Sequence, residues 1–228
     1  MIPLLATVIP LGLAAAVRPG LFALQLLIVS QPKWLPRARA LAIGAALPLL
    51  IFGLLVFFGF NQLPKVPIDQ VNILGVSLRT IIGLIFLAAS IWLFRSHPHL
   101  EEKSAAYLRA KVEHGDVKDF FVVGFLMNGK SLTSYALLLP ALHDIASISE
   151  PLLVQVLALL LLYTLVFITL WLPMVVALVS GRYGATWLHK TSDFVLKENF
   201  TILGVVFLLV GIYLTGSAAV LIAAVERF

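Results

Sequence analysis

The sequence predicts an all-α integral membrane protein whose six transmembrane helices form two inverted three-helix repeats. Three observations carry that expectation. Hydrophobic residues make up 61% of the 228-residue chain and charged residues 12%, roughly half of the ~25% usual in soluble domains. The apolar residues gather in six stretches, 2–29, 40–60, 71–94, 120–142, 151–180 and 200–225, each long enough for a helix to cross a hydrocarbon layer ~30 Å thick. The longest polar stretch, 95–119, lies mid-chain and leaves three apolar stretches on either side. Three is odd, so two similar halves must lie inverted in the membrane, as in many secondary transporters. The chain reads as a single membrane domain, 1–228, with repeat one at 1–94, a cytoplasmic loop at 95–119 and repeat two at 120–228.

The stretch 2–29 has no basic residue ahead of it, and its apolar run resumes after Pro19. It is therefore expected to be a retained span, although Ala14, Ala15 and Ala16 resemble a cleavage site. Gly12, Ala16 and Gly20 recur every four residues, a spacing that lets helices approach closely. Pro48, Pro140 and Pro173 fall inside the second, fourth and fifth stretches, and Pro10 inside the first; each is a candidate kink. Arg79 lies near the start of the third stretch and is expected at the membrane interface. Gln25 and Gln155 are expected to bond between helices. The sixth stretch carries no charge. None of the stretches alternates apolar and polar residues as barrel strands do.

Loop charges set the orientation. Lys33, Arg37 and Arg39 occupy the first loop; Arg95, Lys103, Arg109, Lys111 and Lys118 the third; Arg182, Lys190 and Lys197 the fifth. The second loop has Lys65 alone and the fourth has no basic residue. Loops one, three and five are thus expected in the cytoplasm, with both termini outside a cytoplasmic membrane. Trp34, Trp92 and Trp187 fall at the same expected boundary. Within the central loop, residues 100–112 have the pattern of a short amphipathic surface helix. His97, His99 and His114 lie there too, among mixed charges that read as a solvated segment rather than a metal site.

Several chemistries find no footing. With no cysteine, thiol redox, disulfides and thiolate metal sites are excluded. The net charge of +5 comes from loop residues placed as topology requires, so it is no nucleic-acid signal. No phosphate loop, nucleophile elbow or pair of intramembrane carboxylates appears. No enzymatic activity, cofactor or metal is expected.

Thirteen of the sixteen basic residues lie in loops or at the C-terminus; the others are Arg18, Arg79 and Lys130. Arg18 and Lys130 fall about midway along the first and fourth stretches. A charge at that depth costs at least ~2.5–3.5 kcal/mol, and no Asp or Glu is expected deep in any span, since Asp144 and Glu150 read as external loop residues. The missing anion is then a substrate. Each cation stands beside a helix breaker, Pro19 and Gly129. Broken helices at mid-membrane present half-helix ends to a cavity. Asn128, Ser131 and Tyr135 share one expected helical face, with Lys130 and Ser134 beside it. A shift of about 110 residues sets Arg18-Pro19-Gly20 against Asn128-Gly129-Lys130.

On these residues the chain resembles the LysE-type transporter superfamily, whose members carry two inverted three-helix repeats with breaks in the first and fourth spans. It looks most like the actinobacterial glycolipid-addressing (GAP or Sap) branch. Amino-acid exporters of the superfamily carry Gly-Pro-Asn and Asn-Pro-Lys at the two breaks; here an arginine precedes the first proline and Gly129 replaces the second. The resemblance implies a transporter that exports or flips a lipid, glycolipid or other anionic amphiphile. The expected substrate-binding set is Arg18, Pro19, Gly20, Asn128, Gly129, Lys130, Ser131, Ser134 and Tyr135. Membrane lipids and an anionic or amphiphilic substrate are the expected partners, with a homodimer or lipid-export machinery left open. Two alternatives stand beside this: an exporter of a small soluble solute, and a structural subunit of a lipid-export assembly.

Overall fold

A computed structural model describes residues 2–62, 73–95, 106, 108–110, 112–113, 115–147 and 151–225. Every regular element among the described residues is a helix: α1 (Ile2–Ala16), α2 (Pro19–Val29), α3 (Trp34–Asn61), α4 (Ile73–Leu93), α5 (Val117–Gly129), α6 (Leu132–Ser147), α7 (Leu152–Val166), α8 (Ile168–Lys197) and α9 (Asn199–Val225). The reason is the solvent. Lipid satisfies no backbone N–H or C=O, and a helix satisfies its own. Among the described residues, α3, α4 and α9 are each long and apolar enough to cross a membrane. Three consecutive pairs reach that length only together: α1 with α2, α5 with α6, and α7 with the first part of α8, bent by 64°, 63° and 66°.

Two of the three breaks have a local account. Arg18 leaves the helical region (φ −131°, ψ 79°) because Pro19, the first residue of α2, crowds the residue before it. Gly129 ends α5, and Lys130 caps it at φ −94°, ψ 0°. The break at Phe167 (φ −95°, ψ 8°) has neither proline nor glycine beside it. Beyond the expected breaks in the first and fourth spans, the fifth is broken as well, and α8 runs on to Lys197.

The helices pair in a regular way. α1 and α2 lie against α7 and α8, α3 lies against α5 and α6, and α4 lies along α9. Glycines make the closest of these contacts. A Cβ on Gly44 of α3 would stand 2.1 Å from Phe121 O, and one on Gly124 of α5 would stand 2.4 Å from Leu41 O. The two backbones touch there, and no other residue fits. The expected Gly12–Ala16–Gly20 stripe does not form one face, because the helix ends at Ala16 and restarts at Pro19; of its two glycines, Gly12 is the more closely met, with Leu165 Cβ at 3.1 Å from where a Cβ would lie.

Two apolar clusters build the interior. One joins α1, α6 and α7 with the second half of α3 (Leu49, Phe57) and parts of α4 and α9. The other joins α2, α5 and α8 with the first half of α3 (Ala38, Leu41, Ala45). The breaks lie where the clusters meet. Large apolar side chains such as Leu55, Phe58, Ile85, Leu160 and Val179 are exposed, which suits a surface solvated by acyl chains. Trp92 and Trp187 are exposed as well. In the central polar stretch Leu108 and Val112 are buried in the second cluster, while Arg109 faces out and pairs with Asp193 of α8 at 2.8 Å. The His97, His99 and His114 readings, Lys65 and Glu150 lie outside the described residues.

Candidate functional site

Arg18 stands at the first break, 9% exposed. One terminal guanidinium nitrogen donates to Asn128 Oδ1 at 2.8 Å, the other to Val166 O at the end of α7. The guanidinium carbon lies 5.9 Å from the centre of the Phe167 ring, a cation–π approach. One arginine thus touches the broken points of the first, fourth and fifth stretches. The return contact exists too: Thr169 Oγ1 of α8 donates to Ala16 O, a carbonyl freed where α1 ends, at 3.1 Å. Free C-terminal carbonyls carry partial negative charge, so these bonds hold the cation without neutralising it. Among the described residues no carboxylate pairs with Arg18, and its Nε has no hydrogen-bond partner.

Asn128 is buried, and its Nδ2 donates to Ala45 O of α3. Nearby carbonyls are tied similarly. Gln25 Nε2 donates to Leu170 O at 2.9 Å and Tyr163 Oη to Leu49 O at 3.1 Å. Gln25 bonds between helices as expected, and its Oε1 is left with no partner among the described residues. Gln155 is buried.

The other expected site residues divide. Pro19 and Gly20 open α2. Gly129 is loosely packed, with Pro48 Cβ the nearest atom to a hypothetical Cβ, at 3.9 Å. Ser131 and Ser134 share a hydroxyl hydrogen bond of 2.9 Å, and the Tyr135 ring meets Phe52 edge-on at 4.6 Å between centres. Asn128 does not share one helical face with Ser131 and Tyr135, because the 63° bend separates them. Lys130 is exposed and makes no side-chain bond with a described residue. The two cations therefore occupy different environments: Arg18 is enclosed, Lys130 is open.

An apolar groove of about 350 Å³ runs between α1 and α9, lined by Pro10, Leu13, Val17, Val206, Leu209 and Tyr213 among others. Val17 brings its inner end next to Arg18. A second polar group lies elsewhere. Asp144, expected in an external loop, belongs to α6 and holds Arg79 of α4 in an ion pair, with side-chain exposures of 17% and 11%. The sequence reading missed this pair because the helix continues past Pro140 for almost two turns. Thr169 and the Val166 carbonyl were also missed; a lone threonine near a break is a weak signal.

Broken apolar helices closing on a buried arginine define a multi-pass helical membrane protein with a polar node in its interior. The particular family is shown by comparison: the chain belongs to the Sap, sulfolipid-1-addressing protein, family, whose model matches residues 8–225. No curated protein and no solved structure matches the chain.

Proposed function

We propose that the chain moves a lipid or other anionic amphiphile across the cytoplasmic membrane, with Arg18 holding the acidic headgroup. One observation carries this reading. Arg18 is buried at the junction of three helix breaks, bonded only to neutral acceptors, with its Nε unpartnered. A cation kept at that cost in an apolar surround marks a functional position. The headgroup supplies the missing charge, the groove beside Val17 takes an acyl chain, and exposed Lys130 offers a second positive charge on approach. Ser131, Ser134 and Tyr135 supply polar groups after the fourth-span break. Membership of a lipid-addressing family supports a lipid over a small solute. In this reading the chain is no enzyme.

The same proposal gives six spans in two inverted repeats, N-terminus and C-terminus outside, as in the LysE-type superfamily. Its support is the pairing of first span with fifth, second with fourth and third with sixth, the exchange expected of a two-fold axis in the membrane plane. Transport follows when one repeat rocks against the other and the breaks part.

The test uses purified protein in vesicles containing a tail-labelled anionic lipid or its zwitterionic counterpart, with bilayer crossing read by a membrane-impermeant quencher. The protein should speed crossing of the anionic lipid. Arg18→Gln should slow it by about tenfold or more, since a charge-assisted hydrogen bond is worth roughly 1.5–3 kcal/mol. Equal rates in Arg18→Gln and unsubstituted protein would refute the site. A structural subunit of an export assembly would show no crossing activity alone, and no loss of assembly on Arg18→Gln.

A further inference from the structure

The three breaks differ in what holds them open. Pro19 forbids an unbroken helix at Arg18, and Gly129 weakens the one before Lys130. Between α7 and α8 stand Val166, Phe167 and Ile168, none of which a helix excludes. What departs from helical order there is the hydrogen bonding. Leu170 N and Trp171 N both donate to Phe167 O, at 2.9 and 3.1 Å. In an unbroken helix Leu170 N donates to Val166 O instead. That carbonyl is taken by Arg18 Nη2, and the guanidinium lies beside the Phe167 ring.

We infer that the fifth-span break is imposed from outside its own residues, by Arg18, and that a bound oxyanion removes it. The inference rests on the reading of Arg18 as the headgroup site and states what headgroup binding does. Nε and Nη2 share one edge of the guanidinium, the edge that an anion with two free oxygens grips side-on. Among the described residues Nε has no hydrogen-bond partner. Nη2 holds Val166 O, and Nη1, away from that edge, holds Asn128 Oδ1. A carboxylate, phosphate or sulfate seated on the edge fills Nε and competes with Val166 O for Nη2. It competes well, because a charged acceptor bonds a guanidinium more strongly than a neutral carbonyl does. The Asn128 bond is left in place.

Val166 O, once released in an apolar surround, needs another donor. Leu170 N supplies it by moving over from Phe167 O. Phe167 O keeps Trp171 N, its regular helical partner, so neither carbonyl goes without a donor. The ladder is then complete, and α7 and α8 draw into line. The Thr169–Ala16 bond opposes this by tying the first turn of α8 to the end of α1. An empty site thus holds the span bent by 66°, and a filled one straightens it. Loading and change of shape become one event, because the anion and the Val166 carbonyl compete for the same donor.

The chain has no cysteine, so paired spin labels are placed cleanly. Leu157→Cys on α7 and Val179→Cys on α8 are exposed and flank Phe167. Straightening a 66° bend between them lengthens their backbone separation by about 5 Å at 1.5 Å of rise per residue. Leu157→Cys with exposed Leu55→Cys on α3 is the control pair, with no break at Phe167 between its labels. In phosphatidylcholine vesicles the first pair should show one short distance. Phosphatidylglycerol, a phosphodiester with two free oxygens, should add a population about 5 Å longer and leave the control unchanged. Inorganic phosphate added to phosphatidylcholine vesicles separates the sources: lengthening there supports the edge for a bare oxyanion, and lengthening with phosphatidylglycerol alone supports it for a lipid. Arg18→Met should give the long distance in both kinds of vesicle. If its control pair also shifts, the anion response of the unsubstituted protein decides. A distance that ignores both anions, or that stays short in Arg18→Met with its control unchanged, overturns the inference. Lengthening without lipid crossing in the vesicle assay removes only the transporter reading, and crossing without lengthening removes only the straightening.

Discussion

Arg18 donates to Asn128 Oδ1 at 2.8 Å across 110 residues of chain, the same interval that sets the first break against the fourth in the sequence. The bond ties the end of α5 to the gap between α1 and α2, and Asn128 passes the connection on to Ala45 O of α3. Three stretches are thereby fixed around one charge. Asn128→Leu leaves a buried guanidinium nitrogen without its acceptor and should destabilise the fold by about 1–3 kcal/mol. In an Arg18→Met background the same substitution should cost less. Unfolding titrations in mixed micelles on the four proteins give the coupling; a coupling of zero means the bond contributes nothing.

The α3–α5 crossing should be the least forgiving contact in the bundle. At Gly44 an added methyl meets a backbone carbonyl rather than a movable side chain. Gly44→Ala should therefore lower stability by about 1–3 kcal/mol or more, as overpacking does. Gly59→Ala, where nothing lies within 4 Å of the added carbon, should be neutral or mildly stabilising. Parallel thermal denaturation of the two variants decides.

Tyr163 and Gly53 form a lock of a different kind. A Cβ on Gly53 would lie 1.4 Å from Tyr163 Oη, so the tyrosine reaches Leu49 O only because residue 53 has no side chain. Gly53→Ala should be damaging in the native background and markedly milder in Tyr163→Leu, where the obstruction is gone. A double-mutant cycle of micelle stability reads the difference, and equal costs in both backgrounds would sink the idea.

Two ion pairs, one exposed and one largely buried, should respond unequally. Arg109 and Asp193 are 58% and 43% exposed, and Asp193→Asn should change stability by no more than about 1 kcal/mol. Arg79 and Asp144 are far less exposed, and removing Arg79 takes from the carboxylate the cation that holds it. Arg79→Gln should cost up to about 3–5 kcal/mol. Adding Asp144→Asn should restore part of that loss, as measured by the same unfolding titration.

Part of the candidate site's geometry was legible in Arg18 itself. A cation inside an apolar run, followed by a proline, announces both a break and a polar position, and the structure has both. Lys130, a cation beside Gly129 rather than a proline, was read in the same way and is exposed, because a lysine one residue beyond a helix end can point away from the interior while Asn128 two positions earlier points inward. The fifth-span break at Phe167 gave no signal. Val166, Phe167 and Ile168 carry nothing that forbids a helix, and the Val166 carbonyl is instead held by an arginine 148 residues away.

What the sequence alone determined is the material: apolar runs of spanning length, which in lipid must become helices because nothing outside the chain satisfies their backbone groups, and a proline that stops one of them at Arg18. What only the tertiary structure decided is the meeting of the breaks and the pairing of Arg79 with Asp144. Those contacts join residues 65 to 148 positions apart. Helical periodicity specifies neighbours three and four residues away and carries no information about which distant carbonyl or carboxylate a buried cation will meet.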